Sequence, residues 1–140
     1  MINATNNAVQ TVNVGQNVLF NSANVITPSS EGGCRGWLNH NEGSGLFEIT
    51  KPGIYEIKFN ANVEPTVAGV ITFNITNSGE NILGGEMVTP GATLEEPENI
   101  SSSILVEVPC NCCDTFTVKN NSENPVIVDV SPSLTITRLP

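Results

Sequence analysis

The chain has 140 residues and 14.8 kDa, the size of one ordinary domain, and its hydrophobic residues, 39% of the total, are enough for a single core. Five basic residues stand against 14 acidic ones, for a formal net charge of −9, and charged residues are only 14% of the chain. The basic residues Arg35, Lys51, Lys58, Lys119 and Arg138 are scattered singly. This argues against nucleic acid, which demands clustered cations, and against an anionic membrane surface.

In chain order, Met1 to Ala8 is a polar lead-in with neither a positive start nor an apolar stretch. It lacks the pattern of a secretory signal, so synthesis in the cytoplasm is expected. We read residues 1–9 as an arm for attachment or trimer contact and residues 10–140 as the folded domain. Val12 and Val14 then lead through Gly15 into Val18 and Phe20. The clearest element follows: Tyr55, Ile57, Phe59, Ala61 and Val63 share one face of a strand, with Glu56, Lys58, Asn60 and Asn62 on the other. A second strand sets Val67, Ile71, Phe73 and Ile75 against Thr72, Asn74 and Thr76.

The best helical candidate, Gly91 to Asn99, is broken by Pro97. Period-two runs then return at Ile104, Val106 and Val108, at Phe116 and Val118, at Val126, Val128 and Val130, and at Leu134 and Ile136. Turn signals separate them, among them Gly32-Gly33, Lys51-Pro52-Gly53, Asn77-Ser78-Gly79 and Pro90-Gly91. No apolar stripe of helical period and length appears, and no run nears the roughly 20 apolar residues of a membrane helix. The pattern predicts about eight to ten short strands closing into a sandwich or barrel, with no linker and no repeat. Asn-x-Ser/Thr sequons begin at Asn3, Asn74, Asn99 and Asn120; without secretion they read as products of an Asn-rich composition.

The segment from Gly45 through Phe47, Pro52-Gly53-Ile54-Tyr55 and on to Phe59 resembles the signature of the tumour-necrosis-factor and complement globular-head superfamily. Phe20-Asn21 is similar to its early strand. Asp114 to Ser122, with Phe116, and Ser133 to Leu139 resemble the last strands of its bacterial and phage members. The resemblance implies an all-β, two-sheet antiparallel jelly roll that trimerises about a threefold axis. It marks Phe20, Phe47, Pro52, Gly53, Tyr55, Phe59 and Phe116 as the core and trimer signature. The same residues have physical work without a family: Pro52-Gly53 makes a turn, and Phe47, Tyr55 and Phe59 supply aromatic bulk to one core face.

Candidate chemistry is sparse. Cys110, Cys112 and Cys113 crowd into one stretch and Cys34 lies far upstream. Zinc is a minority reading, because C-x-C-C on an extended chain splits its thiols between two faces. A disulfide from Cys34 is open, and reduced thiols in a loop are the favoured state without secretion. His40, the lone histidine, has no nucleophile motif beside it and reads as a solvated loop residue. Glu95, Glu96 and Glu98 could offer oxygens to Ca²⁺ but lack the spacing of a dedicated loop. Trp37 beside Arg35 is a recognition-loop candidate, with burial of the indole the preferred alternative.

The expectation is therefore a protein that is not an enzyme and carries no cofactor. It is a homotrimeric jelly-roll knob on a phage virion, as capsid decoration, head fibre or fibre tip, or else on a bacterial spore or cell surface. Its partners are other copies of itself, a capsid or fibre protein reached through residues 1–9, and a host-surface glycan or protein. A lectin-like carbohydrate-binding adhesion module is the alternative.

Overall fold

The computed structural model describes residues 1–25, 37–109 and 113–140. Among them are twelve strands and no helix: β1 (Ile2–Thr5), β2 (Gln10–Val12), β3 (Ser22–Val25), β4 (Leu38–Asn39), β5 (Phe47–Ile49), β6 (Gly53–Pro65), β7 (Ile71–Asn77), β8 (Glu80–Thr89), β9 (Glu98–Val108), β10 (Asp114–Asn120), β11 (Val126–Val128) and β12 (Ser133–Arg138). They form two antiparallel sheets of seven and five strands. This is the predicted all-β sandwich.

Strand β6 organises the larger sheet because its thirteen residues alternate without a break, Tyr55, Ile57, Phe59, Ala61 and Val63 inward. One edge pairs with β9 along Gly53–Val63. The other pairs with β12 along Tyr55–Asn60 and with β11 along Val63–Pro65. Beyond β12 lie β1 and then β3, and beyond β11 lies β2. The smaller sheet runs β4-β5-β10-β7-β8.

The core fills the gap between the sheets. Phe20 meets Phe47 edge-on at a centroid distance of 5.4 Å and Phe59 at 6.4 Å, the tilted geometry that ring quadrupoles favour. Phe73, Phe116, Ile57, Leu134 and Ile136 are equally shielded. Each such side chain stabilises the fold by about 1.5–3 kcal/mol relative to exposure. Among the described residues the buried polar side-chain atoms are hydrogen-bonded, His40 Nε2 excepted. Asn120, with no exposed surface, donates from Nδ2 to the Val12 carbonyl at 2.9 Å and accepts the Ser122 N–H at 2.8 Å.

Several sequence expectations need correction. Residues 1–9 are not an arm apart from the domain: Ile2–Thr5 is β1, inserted between β12 and β3, with Ile2 and Ala4 buried. Val67 does not share the face of Ile71; it is 55% exposed in the loop before β7. Val14 and Val130 likewise stand outside strands and are about half exposed. The strand count exceeds the predicted range because β1, β4 and β8 carry weak or interrupted alternation.

Candidate functional site

The turn Lys51-Pro52-Gly53 is held by groups its sequence supplies. The Tyr55 hydroxyl donates to the Lys51 carbonyl at 2.7 Å, and Arg138 Nη2 donates to the Pro52 carbonyl at 3.0 Å. Burial pushes the Tyr55 phenol above its ordinary value, and the charge and hydrogen bond of Arg138 partly oppose that shift. Phe20, Phe47, Tyr55, Phe59 and Phe116 are all within 1% of full burial inside one chain. These rings are core, and Pro52 and Gly53 serve the turn that feeds β6.

Trp37 is 8% exposed and packs on Tyr55 with centroids 5.0 Å apart. Its indole belongs to the buried core and is not a free recognition platform. Arg35 lies outside the described residues, as do Cys34, Cys110 and Cys112; Cys113 is an exposed free thiol. His40 is packed, in contrast to the expected solvated residue. Its ring stacks on Phe47 at 4.1 Å and 3° and its Nδ1 lies 2.9 Å from the Leu46 carbonyl, while Nε2 is buried without a partner. Of the acidic run, Glu98 is structural: it accepts from Thr89 Oγ1 at 2.7 Å and from the Gly91 N–H at 2.8 Å.

The feature that stands out as a surface was not visible in the sequence. Outward-facing residues of β1, β12, β6 and β9 build a face of small uncharged side chains: Asn3, Ser133, Thr135, Asn60, Ser101 and Ser103. Cross-strand hydrogen bonds knit it. Asn99 Nδ2 donates to Asn60 Oδ1 at 3.0 Å and Asn62 Oδ1 at 3.1 Å, and Ser133 Oγ donates to Asn3 Oδ1 at 3.1 Å. Because serine fills little space beside Lys58 and Glu56, the face is hollowed into an open groove of about 680 Å³. Lys58 Nζ lies 3.6 Å from Glu56 Oε1, so the groove's two charges offset each other. The only sequence signal was Ser101-Ser102-Ser103, which reads as a turn unless the strand is already known.

Two packed antiparallel sheets in this order make the chain a jelly roll of the tumour-necrosis-factor and complement globular-head type. Solved structures with that fold superimpose on nearly the whole chain. Murine APRIL at pH 5.0 matches with a TM-score of 0.70 and 12% identity over 99% of this chain and 97% of its own. Eiger TNF from S. frugiperda matches with a TM-score of 0.72 and 10% identity, covering 99% and 91%. The globular domain of zebrafish complement 1qA protein gives 0.68 and 10%, covering 99% and 96%. At such identities the likeness establishes the fold. No protein-family model and no curated protein matches the chain.

Proposed function

We propose that the chain is a non-enzymatic binding or structural knob that works as a homotrimer, displayed on a phage virion or a bacterial surface. The observation that carries the reading is the patch of small uncharged side chains around the groove on the seven-stranded sheet, where Lys58 and Glu56 offset each other and the carboxylates of Glu64 and Glu107 lie toward opposite ends of β6. A chain of net charge −9 approaches its own copies at least cost where its surface is neutral. The face of Asn3, Ser101, Ser103, Ser133 and Thr135 is such a surface, and its small side chains permit close approach. Two sheets with apolar inner faces and open edges also gain from subunits that cover one another. Virion display rests on the resemblance of the last strands, Asp114 to Ser122 and Ser133 to Leu139, to phage and bacterial members.

Attachment to a capsid or fibre protein then uses an exposed surface of the knob, since β1 is committed to its own sheet. The carbohydrate-binding alternative is disfavoured by the burial of every aromatic ring: the five Phe, Tyr55 and Trp37 are all 8% exposed or less. None is left as a platform for stacking a sugar.

Sedimentation equilibrium or mass photometry should give three times the 14.8 kDa chain mass. A monomer at micromolar concentration removes the reading. Antibody labelling of particles and cells checks display, and a purely soluble intracellular pool counts against it.

A further inference from the structure

One end of the sandwich gathers acids and no bases. Residues 60–70, 89–98 and 120–132, the loops after β6, β8 and β10 with their flanks, hold Glu64, Glu95, Glu96, Glu98, Glu123 and Asp129 but no lysine, arginine or histidine. These loops are bound to one another. The Gly69 N–H donates to the Gly91 carbonyl at 2.9 Å, and Thr66 Oγ1 donates to the Pro125 carbonyl. Gly91 takes φ +56°, and a Cβ there would sit 2.2 Å from the Gly69 carbonyl oxygen, so only glycine allows the clasp. Glu98 pins the same loop with both carboxylate oxygens, through Thr89 and the Gly91 N–H. The end is thus one fixed surface.

Apolar side chains stand open on that support. Val67 is 55% exposed, Val70 61% and Leu94 51%, and Ala68 and Ala92 beside them are exposed too. Carboxylates border them. Glu95, held at φ +62° in the left-handed region, follows Leu94 directly, and its charge acts on Glu64. Glu64 in turn hydrogen-bonds to Asp129. That bond first, then burial and the neighbouring charges, holds the Glu64 carboxyl above its ordinary value. A cation relieves crowding of this kind, and these loops contain none of their own.

We infer that this end is the docking surface for a basic protein segment, which sets an apolar side chain on Val67, Val70 and Leu94 and a lysine or arginine beside Glu95 and Glu96. Charge complementarity selects that occupant. A metal ion alone would meet the carboxylates and leave the apolar atoms wet. An anionic membrane would cover the apolar atoms and be repelled by the carboxylates. A second copy brings the same net charge of −9 and the same acids. A basic segment with an apolar residue satisfies both halves of the surface, and loops already fixed in place lower the ordering cost of binding it. Each chain carries this surface whole, so the inference goes beyond the trimer reading and does not depend on it.

The test titrates the full chain into a fluorescein-labelled peptide of about nine residues, a central leucine between paired lysines, and reads anisotropy at about 0.05 M salt. Two counterparts replace the leucine by serine or the lysines by glutamates. The lysine–leucine peptide is expected to bind and both counterparts to fail. Leu94→Ser should weaken binding by on the order of tenfold, the scale of burying one leucine. Glu95→Gln should weaken it about threefold at low salt, and the difference should vanish near 0.5 M. Val70→Ser replaces Leu94→Ser should the latter melt differently from the wild type. Binding that is equal in the wild type and the apolar variants is mere attraction of opposite charges and overturns the docking surface. So does a wild type that ignores the lysine–leucine peptide, or one that takes up calcium and no peptide. Sedimentation of the same samples separates the two readings: a monomer that binds the peptide keeps the docking surface and sinks the trimer, and a trimer that does not bind it does the reverse.

Discussion

Glu64 lies near the end of β6, where a hydrogen bond from its carboxyl to Asp129 raises its pKa above the usual 4.5; desolvation and the charges of Asp129 and Glu95 add to the shift. A raised folded-state pKa means the folded chain binds that proton more tightly than the unfolded chain. The stabilisation is fully present below the ordinary value and is lost as pH rises through the folded one. Glu64→Gln keeps a donor for Asp129 at every pH. The variant should therefore gain on the wild type as pH rises from 4.5 toward neutral, read as the difference between their urea midpoints. Identical pH slopes would show that folding does not tighten the hold of Glu64 on its proton. Glu64 and Asp129 are 65 positions apart, and such a pair has no sequence signature. Neither has the tie from Asn120 to Val12, which spans 108 positions. Pro52-Gly53-Ile54-Tyr55 was legible because its hydrogen bond, Tyr55 to Lys51, closes within four residues.

Among the elements, β6 was legible from its unbroken alternation, which one buried face imposes. Strand β8 was not, because the bulge at Ile82–Gly85 interrupts the period and exposes a leucine where alternation expects none. Strand β1 was hidden by brevity: Ile2 and Ala4 are its whole apolar signal. The two readings of the N-terminus differ in what removing residues 1–5 should do. A free arm could be cut without consequence. A strand paired on both sides takes two ladders with it, uncovers the edge of β12 and exposes the surface that Ile2 buries. That loss is on the order of 5 kcal/mol, comparable with the whole stability of a small domain. The truncated chain should lose its cooperative melt or precipitate. A melt within a few degrees of the full chain would restore the arm.

For the whole molecule the governing quantity is net charge. Each copy carries −9, so assembly brings together bodies that repel wherever they are separated by less than a screening length. That length falls from about 10 Å at 0.1 M salt to about 3 Å at 1 M. Two designs of interface respond to this in opposite directions. Contacts made of ion pairs between copies weaken as salt rises, because attraction is what is screened. Contacts made of apolar and small neutral groups tighten, because the repulsion of the remaining surface is removed while burial is untouched or strengthened. On the face of the seven-stranded sheet the groove's two charges, Lys58 and Glu56, lie within one chain and already face each other, Leu105 and Ile54 carry no charge, and Glu107 opposite Ile54 is a single unbalanced carboxylate. The concentration for half-assembly should therefore fall steadily between about 0.05 and 0.5 M sodium chloride in sedimentation experiments. A rise over that range would mean that copies meet through charged loops, such as the acidic Glu95–Glu96 turn against a neighbour's lysines. The sheet face would then be turned outward, toward a partner other than the chain itself.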